Sequence, residues 1–104
     1  MEYDYIIAET AQKDYESIIE YLLQNTSKDY ALKIGRAIKD KISTVRKQPY
    51  MYQVKQKKWY KILGVRQIPV SGYVIFYRID EEKRLIHICR IRSDKQDNRK
   101  LKIQ

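Results

Sequence analysis

The chain has 104 residues, 43% of them hydrophobic, and a net charge of +9 at pH 7. This length and apolar content predict one domain, residues 1–104, with its own core, and exclude a chain that is disordered throughout. One cysteine and one histidine exclude an internal disulfide and argue for a reducing compartment and against a structural metal, so we expect neither a metal nor a cofactor. The short apolar runs and the acidic N-terminus predict neither a membrane span nor a signal peptide.

The first third of the chain predicts a strand and a helix. Apolar and polar residues alternate over residues 2–7, as in a half-buried strand. The apolar residues then recur every three or four positions from about Thr10 to Gln24, which predicts an amphipathic helix with Thr10 as its N-cap.

A second helix follows a short polar break. Ser27 is placed to cap its start, and the apolar spacing continues to about Lys47, where Pro49 ends it. Gly35 lies inside this helix at a cost of about 1 kcal/mol relative to alanine, which suggests a close approach to the first helix. So short a connection predicts an antiparallel helical hairpin.

The second half of the chain predicts a loop and three strands. Residues Pro49 to Gly64 lack a long period and are assigned to a loop, with some strand near Trp59 to Leu63. Three β-like runs follow, at Arg66 to Val70, Tyr73 to Ile79 and Leu85 to Ile91.

The connections between these runs complete the predicted fold. Ser71-Gly72 suits a two-residue hairpin turn, whereas Pro69 predicts a bulge or an unpaired position. The polar tail from Arg92 to Gln104 is either a docked extension or frayed. The order β-α-α-β-β-β predicts an α+β fold, an antiparallel sheet with a helical hairpin packed on one face.

The charge is distributed unevenly along the chain. Residues 1–30 carry a net charge of −5, and residues 31–104 carry +14. From Lys41 to Ile79 there are nine bases and no acid. This predicts a positive surface that attracts nucleic acid, the ribosome or an acidic protein segment.

The order of elements and several strings within them resemble the RelE/ParE superfamily of bacterial type II toxin–antitoxin toxins. The strings are YDYIIAETAQKDYESIIEYL at the first strand and helix, VRQIPVSGYVIFYRIDEE at the hairpin, and LIHICRIR at the last strand. The last two are the most specific. The matching hairpin positions are Arg66, Ile68, Pro69, Val70, Tyr73, Phe76, Tyr77 and Arg78.

This resemblance implies a small cytoplasmic toxin that a cognate antitoxin wraps and neutralises. RelE-like members cut messenger RNA in the ribosomal A site, whereas ParE-like members bind DNA gyrase. The fold cannot separate the two activities, because function depends on sites placed on a shared fold.

RelE-like cleavage requires proton-carrying groups and cations at positions that this sequence fills differently. The meander positions that the resemblance assigns to bases are Val65, Gln67 and Val74. Near the end of the last strand, Ser93 replaces a usual histidine and Lys95 a usual arginine. A substitute nuclease set is still available, comprising His87, Arg90, Arg92 and Lys95.

Strand alternation predicts that His87 and Cys89 face one side of the last strand, and that Arg90 and Arg92 face the other. His87 has an ordinary pKa of about 6.5 and could act as an acid or a base, or could be packed without a role. Tyr77 is expected in the core of the sheet rather than in catalysis.

A second set of candidates suits binding to a target or to the antitoxin. Aromatic rings interleaved with lysines can stack bases and follow a phosphate backbone, but they can also close the edge of the core while the lysines stay solvated. The set is Lys55, Lys57, Lys58, Trp59, Tyr60, Lys61, Arg66 and Arg78. The basic face of the second helix is likewise either solvated or a surface for the acidic antitoxin.

The sequence therefore favours a ParE-like toxin that inhibits growth by binding DNA gyrase and performs no chemistry. The alternative is a RelE-like, ribosome-dependent and metal-independent mRNA endoribonuclease, and a third option is an inactive or regulatory member. We expect an acidic, amphipathic segment of the antitoxin to fold along the helical hairpin. Addition of a strand to the sheet by the antitoxin is a second option.

Overall fold

The computed structural model describes residues 2–56, 61 and 63–95. Their main elements are β1 (Asp4–Ile7), α1 (Glu9–Asn25), α2 (Lys28–Lys47), β2 (Arg66–Val70), β3 (Tyr73–Asp80) and β4 (Leu85–Ser93). The strands form one sheet in the spatial order β1-β4-β3-β2, and the helical hairpin packs on one face of it. The predicted α+β fold is confirmed.

The sheet is mixed, which differs in one detail from the antiparallel sheet that was predicted. β2, β3 and β4 form the expected antiparallel meander, whereas β1 pairs parallel with β4, from Asp4 opposite Leu85 to Ile7 opposite Ile88. A parallel pair needs a long connection between its strands, and the two helices supply one here.

The junction between β1 and α1 corrects the predicted N-cap. The helix begins at Glu9, so Ala8 is the N-cap and Thr10 already lies in the first turn. Ala8 N–H donates to the carbonyl oxygen of Ile88 at 2.9 Å, and the Thr10 hydroxyl donates to that of Cys89 at 3.3 Å. Thr10 therefore fastens the start of α1 to β4 instead of capping the helix.

The second helix follows its prediction closely. Ser27 caps α2, its hydroxyl accepting from the backbone N–H of Tyr30 at 3.1 Å. Gly35 faces α1, since a Cβ built there would lie 2.8 Å from the Tyr15 hydroxyl oxygen and 3.3 Å from Ile19 Cδ1. The close helix approach that Gly35 suggested is confirmed.

The main core lies between the hairpin and the sheet. Its innermost residues come from both helices and from all the strands except β1, whose preceding residue Tyr3 closes one side. They include Ala11, Ile34, Ile38, Val45, Ile68, Ile75, Tyr77, Ile86 and Ile88. Helical spacing predicted the burial of Ala11, Ile34, Ile38 and Val45, and Tyr77 was expected in the core of the sheet.

The β2–β3 hairpin has the predicted two-residue turn. Ser71 and Gly72 both have positive φ, at 50° and 85°, as a type I′ turn requires. Pro69 lies in regular register opposite Val74, so the bulge predicted as one possibility is absent from this hairpin. The missing N–H of Pro69 is tolerated because β2 is the edge strand.

The loop between α2 and β2 is only partly described. Val54 forms an isolated bridge with Arg66, and Lys55 N–H donates to the Val65 carbonyl at 2.8 Å. The strand predicted near Trp59 to Leu63 lies mostly outside the described residues, and Lys61 and Leu63 are helical, not extended. The tail beyond Lys95 also lies outside them.

Candidate functional site on the outer face of the sheet

The face of the sheet opposite the helices, called the outer face below, has an apolar centre. Val65 and Phe76 are fully buried there and Cys89 is 4% exposed, with Val74 packed beside them. This small cluster is separate from the main core and forms a packed apolar centre on the outer face.

A β-bulge in β4 changes which side chains share this face. Phe76 lies opposite Arg90, but its neighbour Tyr77 lies opposite Ile88, so Cys89 is the extra residue of the bulge. An extra residue interrupts the two-residue alternation of a strand.

The bulge brings three of the four nuclease candidates to one face. His87, Arg90 and Arg92 lie opposite Arg78, Phe76 and Val74, which are alternate residues of β3. The prediction that Arg90 and Arg92 face away from His87 was therefore wrong, because it assumed an unbroken alternation.

His87 lies at an acidic end of the outer face. It lines a shallow cleft of about 410 Å³ with Arg78, with Asp80 at the end of β3, and with Glu81 and Glu82 of the β3–β4 turn. Three carboxylates line this cleft, against the guanidinium of Arg78 and that of Arg84, which pairs with Glu81 at 3.7 Å, so it is a poor place for an RNA phosphate.

The thiol beside His87 is held in its neutral form. Burial raises the pKa of the Cys89 thiol, and the neighbouring Arg78 only partly lowers it. A protonated, buried thiol is a poor nucleophile, so the outer face gains no reactive cysteine.

Arg90 is engaged in a salt bridge with α1. Its Nε and Nη2 donate to the two carboxylate oxygens of Asp14 at 2.7 and 3.0 Å, and the same carboxylate accepts from the Ile91 backbone N–H at 3.1 Å. Both side chains are mostly buried, at 20% and 17% exposure. Arg90 therefore anchors a helix to the sheet.

The last two nuclease candidates lie at the end of β4. Arg92 is half-buried and lines a cleft between β4 and α1, whereas Lys95 is exposed just beyond the strand. The substitute set is therefore brought to one face only in part, and one member is already bound to Asp14.

Among the binding candidates, Lys55 and Arg66 contact aromatic rings. Lys55 Nζ lies 5.5 Å from the centre of the Phe76 ring, at the middle of the outer face. Arg66 stacks 5.0 Å from the Tyr50 ring centre and donates to the Tyr52 carbonyl oxygen. Arg66 thus supports the loop that follows α2.

The remaining binding candidates divide between exposed and undescribed residues. Lys61 is exposed. Lys57, Lys58, Trp59 and Tyr60 lie outside the described residues. Close by along the chain, Tyr50, Met51 and Leu63 are 55%, 54% and 41% exposed, so this segment presents apolar as well as basic side chains.

The structure also shows two polar anchors that were not predicted from the sequence. Glu81 accepts from the hydroxyls of Tyr3, at 2.7 and 2.9 Å, and Tyr50. Asp14 is the other anchor, and its sequence signal was an acid within the apolar stripe of α1, between Ala11 and Ile18. Glu81 had no such signal, because it lies within the run of charged residues from Asp80 to Arg84.

A second surface lies on the helices. The groove between α1 and α2, called the hairpin groove below, has a volume of about 490 Å³ and an apolar floor that includes Ile19, Leu23 and Leu32. Arg36 and Lys39 of α2 lie along it, as do Glu16 and Glu20 of α1. Leu23 and Leu32 are 50% and 46% exposed, so the groove can accept an apolar partner.

Neither a metal site nor a membrane helix is found in the part of the chain that the structure describes. No three His, Cys, Asp or Glu side chains among residues 2–56, 61 and 63–95 converge as metal ligands do. No helix in these ranges combines the length and apolarity needed to cross a bilayer.

Comparison with known proteins finds a matching family and solved structures with a similar fold. The model of a family described as the ParE toxin of the type II toxin–antitoxin system parDE matches residues 5–98. No curated protein sequence matches the chain significantly.

Solved toxin–antitoxin structures share the fold. A chain of the chromosomal ParDE system from P. aeruginosa is 16% identical with a TM-score of 0.71, over 88% of this chain and 95% of that one. A chain of the RelBE2 complex from Mycobacterium tuberculosis is 16% identical with a TM-score of 0.59, over 89% and 99%. The predicted resemblance to the RelE/ParE superfamily is confirmed. Because the family model spans most of its residues, the chain belongs to the ParE toxin family of type II toxin–antitoxin systems.

Proposed function

We propose that this toxin inhibits growth by binding DNA gyrase in the cytoplasm, and that a cognate antitoxin neutralises it. The observation that carries the proposal is the apolar centre of the outer face, where Val65 and Val74 pack with Phe76 and Cys89. Val65 and Val74 stand at positions that the superfamily resemblance assigns to bases in RelE-like nucleases. Metal-free RNA cleavage needs proton-carrying groups there, so an apolar centre favours binding over cleavage.

Other groups that could replace those bases have structural roles. The Arg90 guanidinium binds Asp14, and the buried Tyr77 hydroxyl donates to the Pro49 carbonyl oxygen at 2.7 Å. These contacts leave His87 as the main candidate for proton transfer, and it lies at the acidic end of the face.

The surface proposed to contact the target is the segment from Tyr50 to Arg66, with Arg78. Its exposed side chains include Tyr50, Met51, Lys61 and Leu63. Aromatic and apolar groups flanked by cations are typical of protein-binding surfaces. No acid occurs in this segment, which suits an acidic patch on the target.

The antitoxin is proposed to occupy the hairpin groove. An amphipathic helix could place apolar side chains over Leu23 and Leu32 and acidic side chains beside Arg36 and Lys39. The net charge of +9 supports an acidic partner.

One observation favours the second candidate function, ribosome-dependent mRNA cleavage. The β-bulge places His87, Arg90 and Arg92 on one face of the sheet, as a nuclease using a shifted set would require. This candidate depends on His87, whereas the gyrase proposal does not.

A pair of assays on purified protein separates the two functions. In the first assay, purified toxin mixed with gyrase and DNA should cause gyrase-dependent DNA breaks to accumulate. In the second, a cell-free translation reaction, the messenger should stay intact. His87→Asn should give the same result as the wild type in both assays. Messenger cut at defined codon positions, and lost with His87→Asn, would contradict the gyrase proposal. Neither effect, together with normal growth when the toxin is expressed alone, would indicate an inactive member.

The antitoxin proposal predicts a salt-dependent affinity. The candidate antitoxin is an acidic protein encoded beside this chain, and its Kd should rise steadily with salt as charge pairs are screened. Replacing Arg36 and Lys39 with uncharged residues should reduce that salt dependence. An affinity that does not change with salt would refute an electrostatic contribution from these residues.

A further inference from the structure

A second cleft lies on the other side of α1, where β4 continues beyond β1. β1 pairs with β4 only as far as Ile88, and the first half of α1 covers the next part of the exposed strand edge through Thr10 and Asp14. Further along, α1 and β4 leave a cleft of about 350 Å³ between them. Ser17, Tyr21, Tyr73 and Arg92 line it over an apolar floor of Ile18 and Ile91.

Arg92 lines this cleft and brings a positive charge to it. Asp14, the acidic side chain in the cleft wall, is engaged by both Nε and Nη2 of Arg90. Within residues 2–56, 61 and 63–95, the Nε of Arg92 is buried and lacks a hydrogen-bond acceptor. A buried donor without an acceptor is costly, so the cleft favours a ligand that supplies one.

The other polar groups of the cleft are hydroxyls. Burial raises the pKa of Tyr73, with a further contribution from nearby Tyr30 and Tyr21, so its hydroxyl stays protonated and able to donate. Tyr21 and Ser17 offer two further hydroxyl donors. One guanidinium and several hydroxyls are donors suited to an oxyanion.

The surrounding charges select a carboxylate over a phosphate. Asp14 lies in the cleft wall, and Asp94 is close enough to influence the titration of Tyr73. A phosphate dianion would meet twice the repulsion that a carboxylate meets from these acids. A single carboxylate also balances the single charge of Arg92.

We propose that this cleft binds one aspartate or glutamate side chain of the antitoxin, with Arg92 as its ion-pair partner and Tyr21 and Tyr73 as hydroxyl donors. This inference rests on the proposed neutralisation by an acidic antitoxin. The cleft and the hairpin groove flank the same helix, which is about 10 Å across, so one bound polypeptide can reach both. The antitoxin would thus contact α1 from two sides.

The carboxylate site can be tested on the free toxin with acetate as the probe. Acetate, added at constant ionic strength, should shift the NMR signals of the Arg92 side-chain N–H and of Tyr21 and Tyr73. These shifts should saturate as the acetate concentration rises. Arg92→Gln should abolish the response and Tyr21→Phe should weaken it, whereas Lys83→Gln, on the exposed β3–β4 turn, should leave it unchanged. No saturable response, or an equal response to inorganic phosphate, would overturn the carboxylate site.

The partner is tested with the acidic protein encoded beside this chain. Arg92→Gln should weaken its binding to the toxin by at least about tenfold, and Lys83→Gln should not. If the wild type binds and Arg92→Gln binds equally well, the cleft is not part of the antitoxin interface. If the wild type fails to bind while acetate still does, the antitoxin assignment fails and the carboxylate site stands.

Discussion

Tyr77 illustrates how one side chain joins the sheet to a distant loop. Its ring is fully buried in the main core, and its hydroxyl donates to the Pro49 carbonyl oxygen at 2.7 Å. Burial raises the pKa of Tyr77 to about 12. A buried tyrosine needs such an acceptor, and the residues after α2 provide it.

Replacing Tyr77 with phenylalanine should lower the free energy of unfolding by about 1–3 kcal/mol, because it leaves the Pro49 carbonyl without its donor. Urea denaturation at pH 8 measures this, with the exposed Tyr30→Phe as a control that changes little. An unchanged stability would show that solvent replaces the lost donor.

The raised pKa of Tyr77 also predicts an alkaline loss of stability. The unfolded chain releases this proton near pH 10 and the folded chain only near pH 12. The stabilising contribution is therefore present below pH 10 and is lost as the pH rises towards 12. Tyr77→Phe should lack this part of the alkaline decline.

At the scale of elements, the contact between α1 and β4 determines how the helical hairpin is attached. β1 is too short to cover β4, so Thr10 and Asp14 on successive turns of α1 bind the exposed edge beyond it. Asp14 also binds Arg90 through two nitrogens. A helix thus takes over the pairing that a longer strand would have supplied.

Asp14→Asn should therefore destabilise the protein by about 2–3 kcal/mol, somewhat less than the loss of one partner in a fully buried ion pair. The matched control is Glu9→Gln, which removes an acid of the same helix from an exposed pair with Lys13. That change should cost less than about 1 kcal/mol. Equal effects of the two substitutions in chemical denaturation would contradict the anchoring role.

At the scale of the whole molecule, Glu81 connects three segments that are distant in sequence. It lies in the β3–β4 turn and accepts from Tyr3 near the N-terminus and from Tyr50 after α2. Arg84 stacks on the Tyr3 ring, 4.3 Å from its centre, and pairs with Glu81 at 3.7 Å. The hydrogen bonds from Tyr50 and Tyr3 lower the pKa of Glu81 below its usual value of 4.5.

A lowered pKa makes this connection sensitive to acid. As the pH falls, the unfolded chain takes up a proton at Glu81 before the folded chain does. The contribution to stability is therefore present above about pH 4.5 and is lost as the pH falls through the lower pKa of the folded state. Glu81→Gln should flatten this part of the acid unfolding curve, and the neighbouring Glu82→Gln should not. Acid unfolding curves of the same shape for the wild type, Glu81→Gln and Glu82→Gln would refute the prediction.

The sequence determined the elements and the family of this protein. Helical spacing located α1 and α2, and β-like runs separated by turn residues located the meander, because each pattern depends on neighbours only a few residues apart. The strings around Arg66 to Arg78 indicated the RelE/ParE superfamily for the same reason, since they combine a turn with strands of fixed length. Tyr77 was correctly predicted in the core.

The tertiary structure alone decided how these elements meet. The parallel pairing of β1 with β4 and the contacts of Asp14 with Arg90 and of Glu81 with Tyr3 join residues more than seventy positions apart. The bulge at Cys89 depends on how β4 pairs with β3. Such choices depend on which surfaces fit together after the helices have packed, and a local pattern does not encode that fit. For this reason the face shared by His87, Arg90 and Arg92, and the cleft beside Arg92, emerged only from the folded chain.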